Sequence, residues 1–119
     1  MKKTYLLLLC FLSGNALMAN PPKKQFTLNL DGKETRLIQK NDKVQYDSDG
    51  NITMITGTTE PAVQVYLPDE KLNKGIGVII CAGGALRMHS WGNDVKSMAQ
   101  WLNERGIAVI GLKYRLNTT

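Results

Sequence analysis

Two short apolar runs flank one helical pattern near the end of the sequence, and that order restricts the fold more than any other feature. Residues 77–82 and 107–112 carry almost no polar side chain, as in strands covered on both faces. Between them, residues 93–105 place Val95, Met98, Ala99 and Leu102 at helical spacing. Asn93 or Asp94 can cap the start of that helix, and Gly106 suits a left-handed stop. Strand, helix and strand in this order predict a parallel pair joined by a crossover.

A parallel sheet needs helices on both faces, and only one convincing helix is legible. The expected architecture is therefore α/β but incomplete: antiparallel strands, then one βαβ unit, with residues 26–119 forming the N-terminal part of a larger domain. A self-sufficient α+β domain of about 100 residues is the alternative that size allows.

Upstream, the pattern is that of short strands. Residues 26–30 alternate apolar and polar, Asp31-Gly32 supplies a tight turn, and residues 33–38 can return as a hairpin. Residues 44–46 and 52–55 are two further strand candidates around the polar stretch 47–51. That stretch reads as a turn and not as an EF-hand loop, because its glycine is misplaced and no glutamate closes it. Residues 62–67 alternate again, with Val63, Val65 and Leu67 on one face, before a polar loop at 68–74.

Residues 1–19 have the layout of a secretory leader: Lys2 and Lys3, an apolar run from Tyr5 to Leu12, then small residues at Gly14, Ala16 and Ala19. The run is too short to span a membrane, which takes about 20 residues. Export to the periplasm or beyond is expected, with residues 20–25 as an extended start and no membrane span once the leader is cleaved. Cys10 would leave with the leader, and Cys81, alone thereafter, is expected to be buried in its strand. Loss of Lys2 and Lys3 lowers the net charge from +5 to +3. The remaining basic residues are scattered, without the stripe that nucleic-acid binding requires, so no nucleic-acid partner is expected.

The loop after the first apolar run carries the chemistry. A dinucleotide fingerprint needs G-x-G-x-x-G with the helix opening inside it. Here Gly83 and Gly84 are adjacent, and the helix pattern begins only near Asn93. A P-loop fails because no Gly-Lys-Ser/Thr follows the strand. An oxyanion hole asks for less: backbone N–H groups aimed at a developing negative oxygen, each contributing about 3–4 kcal/mol in a favourable case. Glycines permit such a turn and leave room beside the main chain. The same pair could instead let the helix pack closely on the sheet.

Residues 81–116 resemble the α/β-hydrolase serine esterases, most nearly the secreted group related to acetylxylan and other carbohydrate esterases. The likeness rests on Cys81, Gly83, Gly84, Trp101-Leu102-Asn103, Gly106-Ile107 and Lys113-Tyr114-Arg115-Leu116. In that group a Cys-Pro-Gly-Gly-Gly-Tyr loop precedes the first helix. Ala82, Ala85 and Leu86 depart from it at the proline, third glycine and tyrosine. The resemblance implies that Gly84 and Ala85 supply an oxyanion amide, with Gly83 making the turn. It implies an ester substrate, small or polysaccharide, for a complete protein, and no cofactor.

No G-x-S-x-G occurs, so no catalytic residue is assigned in this chain, and no His/Cys/Asp cluster has metal-ligand spacing. His89, the one histidine, is expected to be a solvated loop residue, with contact to substrate at a pocket rim as the weaker alternative. Trp91 and Trp101 read as packing residues, and Arg115 as the partner of a loop carboxylate. The functional expectation is the N-terminal part of an exported serine carboxylic-ester hydrolase, itself inactive. The alternative is a small secreted, non-enzymatic binding or structural domain.

Overall fold

A computed structural model describes residues 24–117. The expected leader, and residues 20–23 of the extended start, lie outside the described residues. The chain is mixed α/β, with two sheets and little helix. Strands β1 (Gln25–Leu28), β2 (Lys43–Tyr46), β3 (Ile52–Thr56), β4 (Ala62–Tyr66) and β5 (Ile76–Cys81) come first. A two-residue strand β6 (Met88–His89), a wide helical turn (Trp91–Lys96), helix α1 (Ser97–Asn103) and strand β7 (Ile107–Lys113) follow. The main sheet has the order β1-β4-β7-β5, and the smaller one β2-β3-β6.

The predicted crossover is present. β5 and β7 are parallel, with Ile76 beside Ile107 and Cys81 beside Leu112. The helical segment starts at Trp91, two residues before the expected boundary, and its first turn is wide. Asp94 is therefore inside the helix and caps nothing; Ser90 holds the cap position without a side-chain bond. Gly106 is left-handed as expected, at φ 77°. A Cβ there would also lie 1.9 Å from the Leu72 carbonyl oxygen, so the loop before β5 is seated against the helix stop.

Where the helix meets the sheet, the contact is made at Gly111. A Cβ on it would stand 2.5 Å from Val95 Cγ1 and 3.1 Å from the Trp91 ring. The close helix–sheet approach thus belongs to Gly111 and not to the Gly83-Gly84 pair. Around it Ile55, Tyr66, Ala82, Trp91, Val95, Ala99 and Val109 form the core, which joins both sheets to the helix.

The helix covers only one face of the main sheet, and the edge strand β5 is left largely bare on both. Ala62, Gln64 and Tyr66 of β4 lie on the helix side and are buried, whereas Val63 and Val65 are only partly covered. β5 is not sandwiched. It is the edge strand, its Ile76, Val78 and Ile79 are exposed, and so is Cys81, expected to be buried. Register places Phe26, Val65, Ile110 and Ile79 in one row across the uncovered face. Met98 and Trp101 of α1 are about half exposed as well, so neither packs in the core.

The return strand expected at 33–38 shrinks to a single bridge, Leu28 to Glu34. β1 pairs instead with β4, whose alternating apolar residues offer a longer match. The 47–51 turn closes as expected. The Asp47 carboxylate accepts the backbone amides of Asp49 and Asn51, and the Asn51 bonds hold its carboxyl below the usual range. No helix among the described residues is long and apolar enough to cross a membrane.

Candidate functional site

The loop 82–90 leaves the end of β5 and enters the helical segment at Trp91. It is fastened at several points. The Gly83 amide donates to Asp94 Oδ2 at 2.7 Å, and the Ser90 amide returns to the Gly83 carbonyl at 2.9 Å. The Tyr114 hydroxyl donates to the Ala82 carbonyl at 2.5 Å, and the Asn117 amide to the Leu86 carbonyl at 2.8 Å. Two of these clasps come from residues just after β7, which runs beside β5 in the sheet.

Within the clasped frame the backbone turns through conformations that L-residues seldom adopt. Gly84 sits at φ 145°, where a Cβ would lie 2.1 Å from the Met88 carbonyl oxygen, so only glycine fits. Ala85 and Leu86 follow at φ 54° and 61°. Two successive left-handed residues with side chains hold roughly 1–3 kcal/mol of strain each. The turn is closed by the Arg87 and Met88 amides, which both donate to the Gly84 carbonyl.

The three expected oxyanion residues divide accordingly. Gly83 makes the turn, but its amide is taken by Asp94. The Gly84 and Ala85 amides donate to no acceptor among the described residues. The Ala85 φ is positive, a conformation that glycine adopts freely and alanine only with strain. Residues 83 and 85 are exposed and Gly84 half-buried, which puts the free amides within reach of solvent.

His89 is not a solvated residue. It is fully buried, in β6, where it pairs with Ile55 of β3. Its ring stands edge-on to Tyr114, with centroids 4.4 Å apart, and to Trp91. Nε2 lies 2.9 Å from the Tyr114 carbonyl oxygen, so Nε2 carries the proton and donates; Nδ1 has no partner among the described residues. Burial pushes the imidazole pKa below its usual value, and nearby Lys113 adds to that; the Tyr114 bond and Asp42 oppose it. No serine hydroxyl bonds to this ring, so the described residues contain no serine–histidine nucleophile pair.

Other residues are also placed differently from expectation. Arg115 donates through Nε to the Thr59 carbonyl at 3.2 Å and not to a carboxylate. Trp91 is a core residue, as expected, but Trp101 lies on the outside of α1 with the Arg105 guanidinium 3.7 Å above its ring.

Sequence reasoning missed the frame that holds the loop. Asp94 was legible only as a helix cap, yet its carboxylate fixes Gly83. Lys113 and Asp42 form an ion pair in which both side chains are fully buried, and Asp42 Oδ2 also accepts the Gln39 amide at 2.8 Å. The available signal was parity: Lys113 shares the inward side of β7 with Val109 and Gly111, and an inward lysine needs a buried partner.

Chemically, the bend leaves two backbone N–H groups without acceptors among the described residues, donors of the kind that can stabilise a negatively charged oxygen. It holds neither nucleophile nor base, and no group of three His, Cys, Asp or Glu side chains converges among the described residues. Compared with protein-family models, with curated proteins and with solved structures, the chain matches none.

Proposed function

We propose that this chain is the oxyanion-bearing N-terminal part of an exported serine carboxylic-ester hydrolase of the α/β-hydrolase fold, acting on acetylated carbohydrate. One observation carries the reading. The unsatisfied amides of Gly84 and Ala85 lie in the loop that follows the third strand, in chain order, of the main sheet and leads through the two-residue β6 to the first helical segment. That is where α/β-hydrolases take one oxyanion donor, the other coming from the residue after the nucleophile. In this reading Gly84 and Ala85 donate, Gly83 and Asp94 set the bend, and Tyr114 and Asn117 hold it. The carbohydrate ester rests on the sequence resemblance alone.

The mechanism assigned to these residues is limited to charge stabilisation. When a nucleophile adds to an ester carbonyl, the oxygen gains negative charge, and amides already in position need no reorganisation to meet it. Nucleophile, acid and histidine would come from further polypeptide. His89, buried and bonded to a carbonyl, takes no part.

The 119-residue chain is expected to leave an activated acetyl ester at the uncatalysed rate. A longer product of the same reading frame is expected to turn it over and to be inactivated by a serine-directed phosphonate. An inert longer product would end the proposal. The bonded Gly83 amide favours a second reading, a small secreted binding or structural domain whose bend is architectural.

A further inference from the structure

Loop 82–90 is tied at both ends to one residue. At its start the Tyr114 hydroxyl donates to the Ala82 carbonyl at 2.5 Å, and at its end His89 Nε2 donates to the Tyr114 carbonyl at 2.9 Å. The amides on either side of His89 close onto the glycines: Met88 donates to the Gly84 carbonyl and Ser90 to the Gly83 carbonyl. His89 takes no chemical step, yet its fully buried ring anchors the stretch that carries both amides. That stretch has little else to hold it, since β6 pairs with β3 only at Met88 and His89.

The ring can keep this place in one protonation state. Nε2 already carries a proton, so a second goes to Nδ1, which is buried and has no partner among the described residues. Lys113 of β7 repels a charge on the ring. Asp42, from the loop before β2, attracts one, but its Oδ2 is already paired with Lys113. Tyr114 offers the ring its carbonyl, which Nε2 occupies, while β3 presents Ile55 and the helical segment Trp91, neither of them charged. An imidazolium with one N–H bare and away from water is costly. Moving into water satisfies both nitrogens at the expense of the Tyr114 bond.

We infer that His89 is the positioning residue of the glycine bend and makes it acid-sensitive. Neutral, the ring pins the end of loop 82–90 to Tyr114. On gaining a proton it leaves its place, β6 parts from β3, and the Gly83 and Gly84 carbonyls lose their ties to Ser90 and Met88. The release itself involves no substrate. Its consequence for catalysis rests on the esterase reading, in which acid ends charge stabilisation by the Gly84 and Ala85 amides before the fold is lost.

Such a release is local. The sheet β1-β4-β7-β5 and the β2–β3 hairpin keep all their strand pairs without β6, and short segments of this kind open at a fraction of the global stability. The sign is fixed by burial, which lowers the imidazole pKa. The pin is complete above the unfolded value of about 6.5 and weakens as pH falls below it, about tenfold per unit until the folded value is reached. Between pH 7.5 and 5.0 the open form therefore gains by up to about 30-fold.

The test is amide exchange by NMR on the purified chain at pH 7.5, 6.0 and 5.0, expressed as protection so that the intrinsic pH dependence of exchange cancels. Protection of Met88 and Ser90 should fall at least about 10-fold across that range. In acid it should lie well below that of the amides bonded between β4 and β7, and it should not respond to low urea, the mark of local opening. His89→Gln keeps a neutral donor where Nε2 stands and does not titrate, so it should retain the protection at pH 5.0. If that variant does not fold, the wild type decides alone: the fall should level off where the ring's carbon-bound protons finish titrating. Protection of Met88 and Ser90 that holds to pH 5.0, falls only in step with the β4–β7 amides, or falls equally in folded His89→Gln would overturn the inference. None of these readings needs a substrate, so an inert longer product ends the esterase reading alone. In an active one, kcat should decline more steeply below about pH 6.5 in the wild type than in His89→Gln, with KM little changed; superimposable profiles would overturn the regulation.

Discussion

Replacing Lys113 by methionine removes the cation from a pair buried completely on both sides. What remains is the Asp42 carboxylate, with the Gln39 amide on Oδ2 and no partner for Oδ1. Breaking a buried pair from one side costs about 3–5 kcal/mol, because the surviving charge is left desolvated. A domain of this size holds about 5–15 kcal/mol in total. With an m-value near 1.5 kcal/mol/M, the urea midpoint should fall by about 2–3 M. Adding Asp42→Asn keeps an acceptor for the Gln39 amide while removing the charge, so the double variant should regain at least about 2 kcal/mol. Urea titrations followed by circular dichroism on wild type, both singles and the double give the coupling directly. A loss under 1 kcal/mol for Lys113→Met, or strict additivity in the double, would refute the claim that the pair is buried and mutually dependent.

Asp94→Ala releases the Gly83 amide. Its hydrogen exchange should accelerate at least tenfold by NMR, with a stability loss of about 1–2 kcal/mol after allowance for partial exposure. Gly106→Ala should destabilise well beyond Gly32→Ala in thermal melts. Both glycines have positive φ, which alone costs about 1–2 kcal/mol, but only Gly106 has the Leu72 carbonyl in the way. His89 makes stability pH-dependent with a definite sign. Its folded pKa lies below the unfolded value of about 6.5, so its contribution is complete above that pH and is lost as pH falls below it. The urea midpoint should therefore drop between pH 7.5 and 5.5, and His89→Gln should lessen that drop; equal midpoints in the wild type would count against it.

The elements whose spacing is set by local sequence were legible. The parallel pair, the crossover helix, the Gly106 stop and the 47–51 turn all follow from periodicity and turn chemistry. Burial was not, because it depends on which neighbours are present: a run such as Val78-Ile79-Ile80 looks the same in a covered strand and at a bare edge. The glycine loop was found, but its fastening was not, since Asp94, Tyr114 and Asn117 reach it only through the fold. His89 was misplaced because a two-residue strand leaves no periodic trace, and β6 is what draws it inside.

That small strand has a mechanical corollary. β6 joins the exit of the glycine bend to β3, whose hairpin with β2 ends at the 47–51 turn, and Lys96 ties that tip to the helical segment through Asn51. The peripheral hairpin is thus a handle on the bend: whatever grips or loosens its tip pulls on the free amides without touching them.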